Sequence, residues 1–427
     1  MAFSKKAVTG MRDILPSEME VRAALQHIIR ETYSLYGFTE IETPIIEHIG
    51  NLTSKQGGEN EKLIFKVLKR GDKLKSALSQ IDAANEETGS DALTEEGLRY
   101  DLTLPLSRYY SANAASLSQP FKALQMGPVF RADRPQRGRF RQFVQCDIDI
   151  LGDATNLAEK ELVLATSEAL EKIGFAKYNF YIVINDRRFL FELIKYAGMP
   201  EEQAEEILIV LDKADKIGAE GVDAELKEMG MADEAIHKLR DILDNFTTDA
   251  AGVRAFAERI GTETAKAAGD NVADIMESIA GVKGRSIRMQ FDPTLVRGMG
   301  YYTGTIFEIK TEAFSSSVGG GGRYDKMVGK FTGQDVPAVG FSIGFERIMT
   351  ILMEDGADKL LKSRAKSAWL IEKNMPAERL SEIFNEAIAE RAAGRQVLTV
   401  WMAKNKKFQK ESLTAQGYTE FKEFFVK

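Results

Sequence analysis

The chain is predicted to be an α+β protein, with a strand-rich core interrupted by a helical segment and followed by a small α/β domain. Three observations predict this. Two strand-like runs, 121–131 and 141–152, flank a link rich in Gly, Pro and Arg, as in a hairpin. Residues 187–285 are dominated by Ala, Glu, Lys and Leu and separate two strand-rich stretches. Residues 357–427 alternate strand, helix, strand, helix, strand, which implies parallel strand pairs. A chain of 427 residues exceeds one ordinary domain of roughly 100–200 residues. The expected organisation is a core in two parts, 1–186 and 286–356, a helical insertion at 187–285, and a C-terminal domain at 357–427.

Taken in order, Ser17 to Glu20 has the form of a capping box. Val21, Leu25, Ile28 and Ile29 continue the helical spacing, and Gly37 is a C′ stop. Residues 38–49 read as a strand interrupted by Pro44. Residues 72–97 are polar and read as a surface insertion. Residues 98–110 read as a strand entering a helix at Pro105, 157–173 as an amphipathic helix, and 177–185 as a strand. Strands return at 287–296 and 301–310; a glycine run follows at 319–325, then a strand or turn entering a helix at 340–353.

Composition narrows the chemistry. There are 57 Lys+Arg and 64 Asp+Glu, a net charge of -7, so no global basic field points to nucleic acid. The C-terminal 357–427 differs, with 14 basic against 9 acidic residues, and permits an RNA contact. Cys146 is the only cysteine and three histidines are scattered, which excludes an intrachain disulfide and a Cys/His-rich zinc site. No apolar run approaches about 18 residues, and the first residues lack a signal-peptide pattern. No membrane role, and a cytoplasmic, reducing setting, are expected.

Four constellations can carry chemistry. Residues 131–141 hold five arginines around a hairpin; such a loop is either a solvated basic turn or a grip on phosphates, which guanidinium binds bidentately. The apolar strands on both sides fix Arg131 and place it near Phe143. In 144–152, Phe143, Gln145, Asp147 and Asp149 share one strand face, opposite Cys146, Ile148 and Ile150. That polar face is either solvent-exposed or a receptor for an ammonium or imidazole N–H; with no histidine nearby it makes a poor metal site. In 295–308, Arg297 stands at a strand end beside Gly298 and Gly300, and Tyr301 and Tyr302 point to opposite faces if they lie in a strand. Finally, GGGGRYD (319–325) has neither a GxGxxG nor a GKS/T pattern, so it is not a nucleotide-binding glycine loop of those kinds. Arg347 opens a helix after a glycine turn, where it can meet an anion.

Together these segments resemble a class II aminoacyl-tRNA synthetase, specifically the histidyl-tRNA synthetase family, from GMRDILP (10–16) over nearly the whole chain. Residues 17–47 resemble the family's motif 1, FRADRPQRGRFRQF (130–143) its motif 2, and VGFSIGFERI (339–348) its motif 3. LRYDLT (98–103), QCDIDI (145–150) and LVRGMGYYTG (295–304) indicate histidine. The resemblance implies an antiparallel six-stranded catalytic sheet, a helical insertion and an anticodon-binding-like C-terminal domain. It also implies a homodimer through motif 1, ATP as substrate with Mg2+, no zinc, and L-histidine and tRNA(His) as partners. By resemblance, Arg131 holds the ATP α-phosphate and the substrate carboxylate, Phe143 stacks on adenine, and Arg347 binds the far phosphates. Arg297 faces the α-phosphate, a place held by a metal ion in related synthetases. Asp101 and Thr103, with Gln145, take the histidine ammonium, and Leu102 belongs to the histidine-binding residues. Asp149 and Tyr302, with Tyr301 beside them, grip the imidazole. Arg134, Gln136 and Arg137 meet the tRNA acceptor end.

Two departures stand out. The family often carries an acid before the tyrosine pair, where this chain has Gly300, and the C-terminal domain is shorter than usual. A synthetase-like regulatory subunit of ATP phosphoribosyltransferase, a binding protein without aminoacylation activity, is the rival reading. An ATP-dependent ligase for a non-tRNA carrier is a more distant one. Such regulatory relatives usually lose parts of the pocket and the C-terminal domain, whereas Arg131, Gln145, Asp149, Arg297, the tyrosine pair and that domain are present here.

Overall fold

The computed structural model describes residues 3–53, 62–80, 92–285, 287–297, 300–356 and 366–426. Gly298, part of the glycine pair expected beside Arg297, lies outside them, as do residues 81–91 of the polar insertion. The chain divides into two compact units, Met1–Asp13 with Leu25–Leu352, and Ile14–Ala24 with Met353–Lys427.

In the first unit the strands are β1 (Thr39–Glu40), β2 (Ile46–His48), β3 (Lys66–Leu68), β4 (Thr94–Leu98), β5 (Phe121–Phe130), β6 (Gln142–Leu151), β7 (Tyr181–Asp186), β8 (Met289–Phe291), β9 (Thr305–Thr311), β10 (Phe314–Arg323) and β11 (Ala338–Ile343). Eight of them form one sheet, in the order β1-β5-β6-β11-β10-β9-β7-β8. The six from β5 to β7 run antiparallel, as the resemblance implies. The sheet is widened by two short parallel edge strands, β1 on β5 and β8 on β7. The sequence places both inside longer strand readings, 38–49 and 287–296, of which only two and three residues pair in this sheet.

Pro44 does interrupt its strand: β1 and β2 flank it and enter different sheets, β2 joining β4 and β3 in a three-stranded antiparallel sheet. The polar stretch that follows β3 contains a helix, Gly71–Gln80, and then β4. The long β5–β6 hairpin lies where the two apolar runs predict it, with ten residues on each strand. One face of β6 is the buried Cys146, Ile148 and Ile150; the helix Leu157–Lys172 packs on that side, burying Leu162, Val163 and Leu170. The helices from Arg187–Ala197 to Glu263–Ala280 belong by contact to this same unit.

The second unit holds β12 (Lys366–Ile371), β13 (Gln396–Trp401) and β14 (Glu420–Phe424), all parallel in the order β13-β12-β14. Helices Ala377–Ala392 and Lys406–Ala415 connect them. Both faces of β12 are buried, with Trp369, Ile371 and Ile383 in one cluster and Ala368, Leu370 and Leu413 in another. This explains its unbroken apolar run.

Several local expectations are corrected. The first helix starts at Pro16, a residue pre-set for the first helical turn, so Ser17 lies inside it and caps nothing. Glu20, expected to reach back to Ser17, instead lies 2.5 Å from Lys366 Nζ, a buried ammonium that needs a carboxylate more than the exposed helix start does. Gly37 follows the helix with φ +80°, as a C′ residue. The helix expected at Pro105 begins earlier, at Thr103. Residues 287–296 give a strand of only three residues, because Asp292 turns the chain by accepting from Thr294 N and Oγ1. Tyr301 and Tyr302 precede β9 in a turn and pack edge to face, their ring centroids 4.8 Å apart, rather than on opposite faces.

The glycine run is not a loop but the centre of β10. A Cβ on Gly321 would sit 1.9 Å from the Gly340 carbonyl, and one on Gly320 would sit 1.5 Å from Arg297 Nη1. Glycine normally weakens a strand interior; here it permits close approach to neighbouring backbone and to a guanidinium. Because the obstacle at Gly321 is backbone and cannot rotate away, Gly321→Ala is expected to cost about 1–3 kcal/mol. Thermal unfolding checks this, and an unchanged midpoint would refute the close-approach account.

Candidate active site

The eight-stranded sheet carries a cavity of about 200 Å³ on its polar face. Its floor is Gly319 to Gly322 of β10; the polar side of β6 forms one wall, with Phe143, Gln145, Asp147 and Asp149. Asp101 and Thr103 enter from the link between β4 and the helix Thr103–Asn113, Arg297, Tyr301 and Tyr302 from the turns before β9, and Arg347 from the helix after β11. Residues scattered over nearly 250 positions thus meet in one space.

One end of the cavity collects guanidiniums. Arg131 directly follows β5, continuing its ladder through its backbone N–H to the Arg141 carbonyl at 2.9 Å. Its Nε donates to the Tyr100 carbonyl at 2.8 Å, and its guanidinium lies 5.3 Å from the Phe143 ring centroid. Arg139 is paired with Asp133 at 2.9 Å. Arg347 donates to the Ser317 carbonyl. Burial, and then the neighbouring Arg139, Arg297 and Arg131, lower the Arg347 pKa, which places these cations within mutual electrostatic reach. Arg297 donates to the Phe307 carbonyl at 2.8 Å and lies 3.6 Å from Glu308 Oε1, while its buried Nε has no partner. Its own φ is +61°. An L-residue there stores strain that its surroundings must hold, a feature that concentrates at functional sites.

The other end collects unsatisfied acceptors. Asp101 accepts from Leu104 N at 3.1 Å with one oxygen, and its other oxygen has no partner. Asp149 accepts from the Tyr324 hydroxyl at 2.6 Å, again with its second oxygen unpartnered. Gln145 donates weakly to Ser342 and Asp147, at 3.3 and 3.4 Å, and leaves its Oε1 free. Asp147 also keeps one oxygen unpaired. Native buried polar atoms are almost always paired, so four such acceptors in one cavity mark a place for donors from outside the chain. Burial pushes all three carboxyls up: Asp101 in direction, Asp147 strongly and with help from the charge on Asp149, and Asp149 to about 7 despite the Tyr324 hydroxyl.

Of the residues singled out in the sequence, Asp101, Thr103, Arg131, Phe143, Gln145, Asp149, Arg297, Tyr301, Tyr302 and Arg347 all line this one cavity. Leu102 does not: it is buried, and its carbonyl accepts from Leu106 N and from Gln125 Nε2, so the chain between Asp101 and Thr103 turns it away from the cavity. Arg134, Gln136 and Arg137 stand exposed at the tip of the β5–β6 link, outside the cavity. There Gln136 and Arg139 exchange backbone hydrogen bonds, and Arg137 lies 4.9 Å from the Phe314 ring centroid. Sequence reasoning missed Tyr324 and Ser342. Both had a signal: Ser342 alternates with Gly340 on β11, and Tyr324 follows a run whose four glycines made sense only beside a ligand. Glu346 was missed as well; it accepts from Val144 N at 3.3 Å and meets Arg12 at 3.5 Å, tying the motif 3 helix to β6. Among the described residues no group of three or more His, Cys, Asp or Glu forms a metal cage.

The raised Asp149 pKa has a stability consequence with a definite sign. The folded chain keeps this proton up to about pH 7, whereas the unfolded chain loses it near 3.9. Between those values the unfolded state binds fewer protons, so this contribution is complete below about pH 4 and is lost as pH rises through 7. Asp101 and Asp147 act in the same direction. In the ligand-free protein, Asp149→Asn is expected to flatten the decline in thermal midpoint between pH 5 and 8. Parallel profiles for the two proteins would refute the assignment.

The comparisons with known proteins agree with this geometry. A family model described as Histidyl-tRNA synthetase matches residues 90–348. A histidine–tRNA ligase of Leifsonia xyli subsp. xyli is 44% identical over 425 residues, covering 96% of this chain and 93% of that protein. One from Christiangramia forsetii is 36% identical over 362 residues, covering 83% and 78%. Among solved structures, the histidyl-tRNA synthetase of Nostoc sp. PCC 7120 has a TM-score of 0.76 at 26% identity, covering 97% of this chain and 90% of that one. A Bacillus halodurans protein described as an ATP phosphoribosyltransferase regulatory subunit/histidyl-tRNA synthetase has a TM-score of 0.75 at 22% identity, covering 99% of each chain, a likeness of fold alone. With a family model over more than half of its length and a relative this similar from end to end, the chain belongs to the histidyl-tRNA synthetase family.

Proposed function

We propose that this chain is a histidine–tRNA ligase, which activates L-histidine with ATP and transfers it to tRNA(His). The observation that carries the reading is one cavity with guanidiniums at one end and unpartnered buried acceptors at the other. Histidine supplies what the acceptors lack, an ammonium and imidazole N–H groups. ATP supplies the anion that the guanidiniums lack.

In the first step a histidine carboxylate oxygen forms a bond to the α-phosphorus. The bond from that phosphorus to the bridging oxygen breaks, and pyrophosphate leaves with the electron pair. Negative charge gathers on the phosphoryl oxygens, where Arg131 and Arg297 stabilise it as fixed charges already desolvated by the cavity. Arg347 takes the leaving pyrophosphate end, and Phe143, under Arg131, offers its ring to adenine. The ammonium sits among Asp101, Thr103 and Gln145. Asp149, with its free oxygen, takes an imidazole N–H, and Tyr301 and Tyr302 close over the ring. An apolar amino acid would leave these acceptors buried and unpaired, which is how such a pocket rejects it strongly. In the second step a ribose hydroxyl of the tRNA attacks the activated carbonyl and displaces AMP. Arg134, Gln136 and Arg137, which are exposed, guide the acceptor end in this reading. Mg2+ accompanies ATP, and dimerisation through the motif 1 segment, a cytoplasmic setting and anticodon contacts from the C-terminal unit complete the reading.

Histidine-dependent ATP–pyrophosphate exchange tests the activation step, and charging of tRNA tests the transfer. Exchange is expected with histidine and with no other amino acid. Arg297→Ala is expected to lower its rate by about 10²–10³-fold, the scale of removing one fixed transition-state donor. A folded protein without exchange would overturn the proposal in favour of a non-catalytic, synthetase-like binding protein.

A further inference from the structure

Behind the acceptor end of the cavity lies a buried polar residue with no part in the roles above. Gln125 sits on β5, directly across from Asp147, and is only 2% exposed. Its Nε2 donates to the Leu102 carbonyl at 3.2 Å, and its Oε1 accepts from the Thr43 hydroxyl at 3.3 Å. Leu102 is the residue between Asp101 and Thr103, the two cavity residues of that segment.

That segment needs holding. β4 ends at Leu98 and the helix begins at Thr103, so the residues between them lie in no strand or helix. Arg131 takes the Tyr100 carbonyl, and Gln125, further back on the same strand face, takes the Leu102 carbonyl. The other end of the Gln125 amide is anchored as well. Arg99 Nη1 donates to the Thr43 carbonyl at 2.6 Å and to its hydroxyl oxygen at 3.1 Å, and Arg99 Nε donates to the Pro128 carbonyl at 2.9 Å. Arg99 is itself buried, and burial lowers its pKa. A side-chain amide costs free energy to bury unless paired. Here its two bonds tie the segment bearing Asp101, and the link between β1 and β2 that carries Thr43, to β5.

We propose that Gln125 is a positioning residue for recognition of the substrate ammonium, holding the Asp101 carboxylate in register through the Thr43–Gln125–Leu102 bridge so that the free Asp101 oxygen and the Thr103 hydroxyl face the amino group. The inference rests on the reading that Asp101 and Thr103 take the ammonium. It extends that reading to a residue outside the cavity.

The test compares histidine with 3-(imidazol-4-yl)propanoate, which keeps the ring and carboxylate but lacks the ammonium. Gln125→Met keeps the volume and removes both hydrogen bonds. Gln125→Glu keeps the acceptor for Thr43 and removes the donor to Leu102, so it serves where the methionine variant does not fold. In either, the KM for histidine in pyrophosphate exchange is expected to rise roughly tenfold or more, as for a lost hydrogen bond to a charged group. The KM for ATP and the inhibition constant of the propanoate are expected to stay within about twofold, inside the factor of context dependence of a site not touched. A histidine KM that does not rise overturns the proposal. So does an equal loss for histidine and the propanoate, or a loss of folded enzyme alone, since each is the mark of a structural residue. If the wild-type chain shows no exchange, the activation reading fails by itself. Calorimetric binding of histidine and the propanoate to both proteins then decides the Gln125 proposal on the same difference.

Discussion

The whole site depends on the absence of side chains on one strand. β10 lies in the middle of the sheet, where a Val or Ile would normally fill each position and the cavity would not exist. Gly319 to Gly322 leave that space open, and neighbours move in at distances no side chain would allow. The Arg297 guanidinium lies against Gly320, and the Asp149 carboxylate lies against Gly340 on the adjacent strand. The sheet keeps its ladder across the glycines, with β9 on one side and β11 on the other. Backbone rigidity is therefore retained while a floor for ligands is gained.

Such a floor lets chemistry be sorted by distance along the sheet. The cations come from the ends of elements: Arg131 from the end of β5, Arg297 from a strained turn, Arg347 from the start of a helix. The acceptors on β6 come from its middle, where alternation alone places Gln145, Asp147 and Asp149 in one row. Asp147 and Asp149 of this row are buried rather than solvated, in a cavity that the buried Tyr301, Tyr302 and Tyr324 also line. Burial is what makes the row selective. A solvated carboxylate would accept any donor, including water. A buried one, held next to its protonated form, favours a ligand that brings the matching donor in the matching place.

Much of this was legible in the chain, and the parts that were not have physical reasons. The β5–β6 hairpin, the polar face of β6 and the parallel C-terminal unit follow from alternation and turn residues, which are local signals. The six-stranded antiparallel core came from the resemblance, since no local pattern says that β7 and β9 are neighbours. The two edge strands were read too long, because the strand-like pattern of residues runs on past the two or three whose backbone pairs. The tyrosine pair was placed wrongly because a strand and an extended turn share the same residue types, and only tertiary packing brings the two rings together edge to face. Leu102 was misjudged for a related reason. A motif names residues in a row, but the backbone between Asp101 and Thr103 turns, so the middle one of three faces the interior.

The ligand-free cavity is also an unfavourable arrangement held by its surroundings. Several guanidiniums repel one another at one end, three carboxyls are kept from ionising freely at the other, and one arginine sits in left-handed backbone. Each feature costs stability on its own, and on the proposed reading each is relieved by a different part of the reactants: a polyphosphate would screen the cations, and an ammonium and an imidazole would satisfy the acceptors. Binding energy from the remote groups of both substrates can therefore go into completing the charge pattern at the reacting atoms, rather than into tight binding as such. Either substrate alone leaves one end of the cavity uncompensated. Full relief comes only when both are present, the state in which the carboxylate and the α-phosphorus are held together.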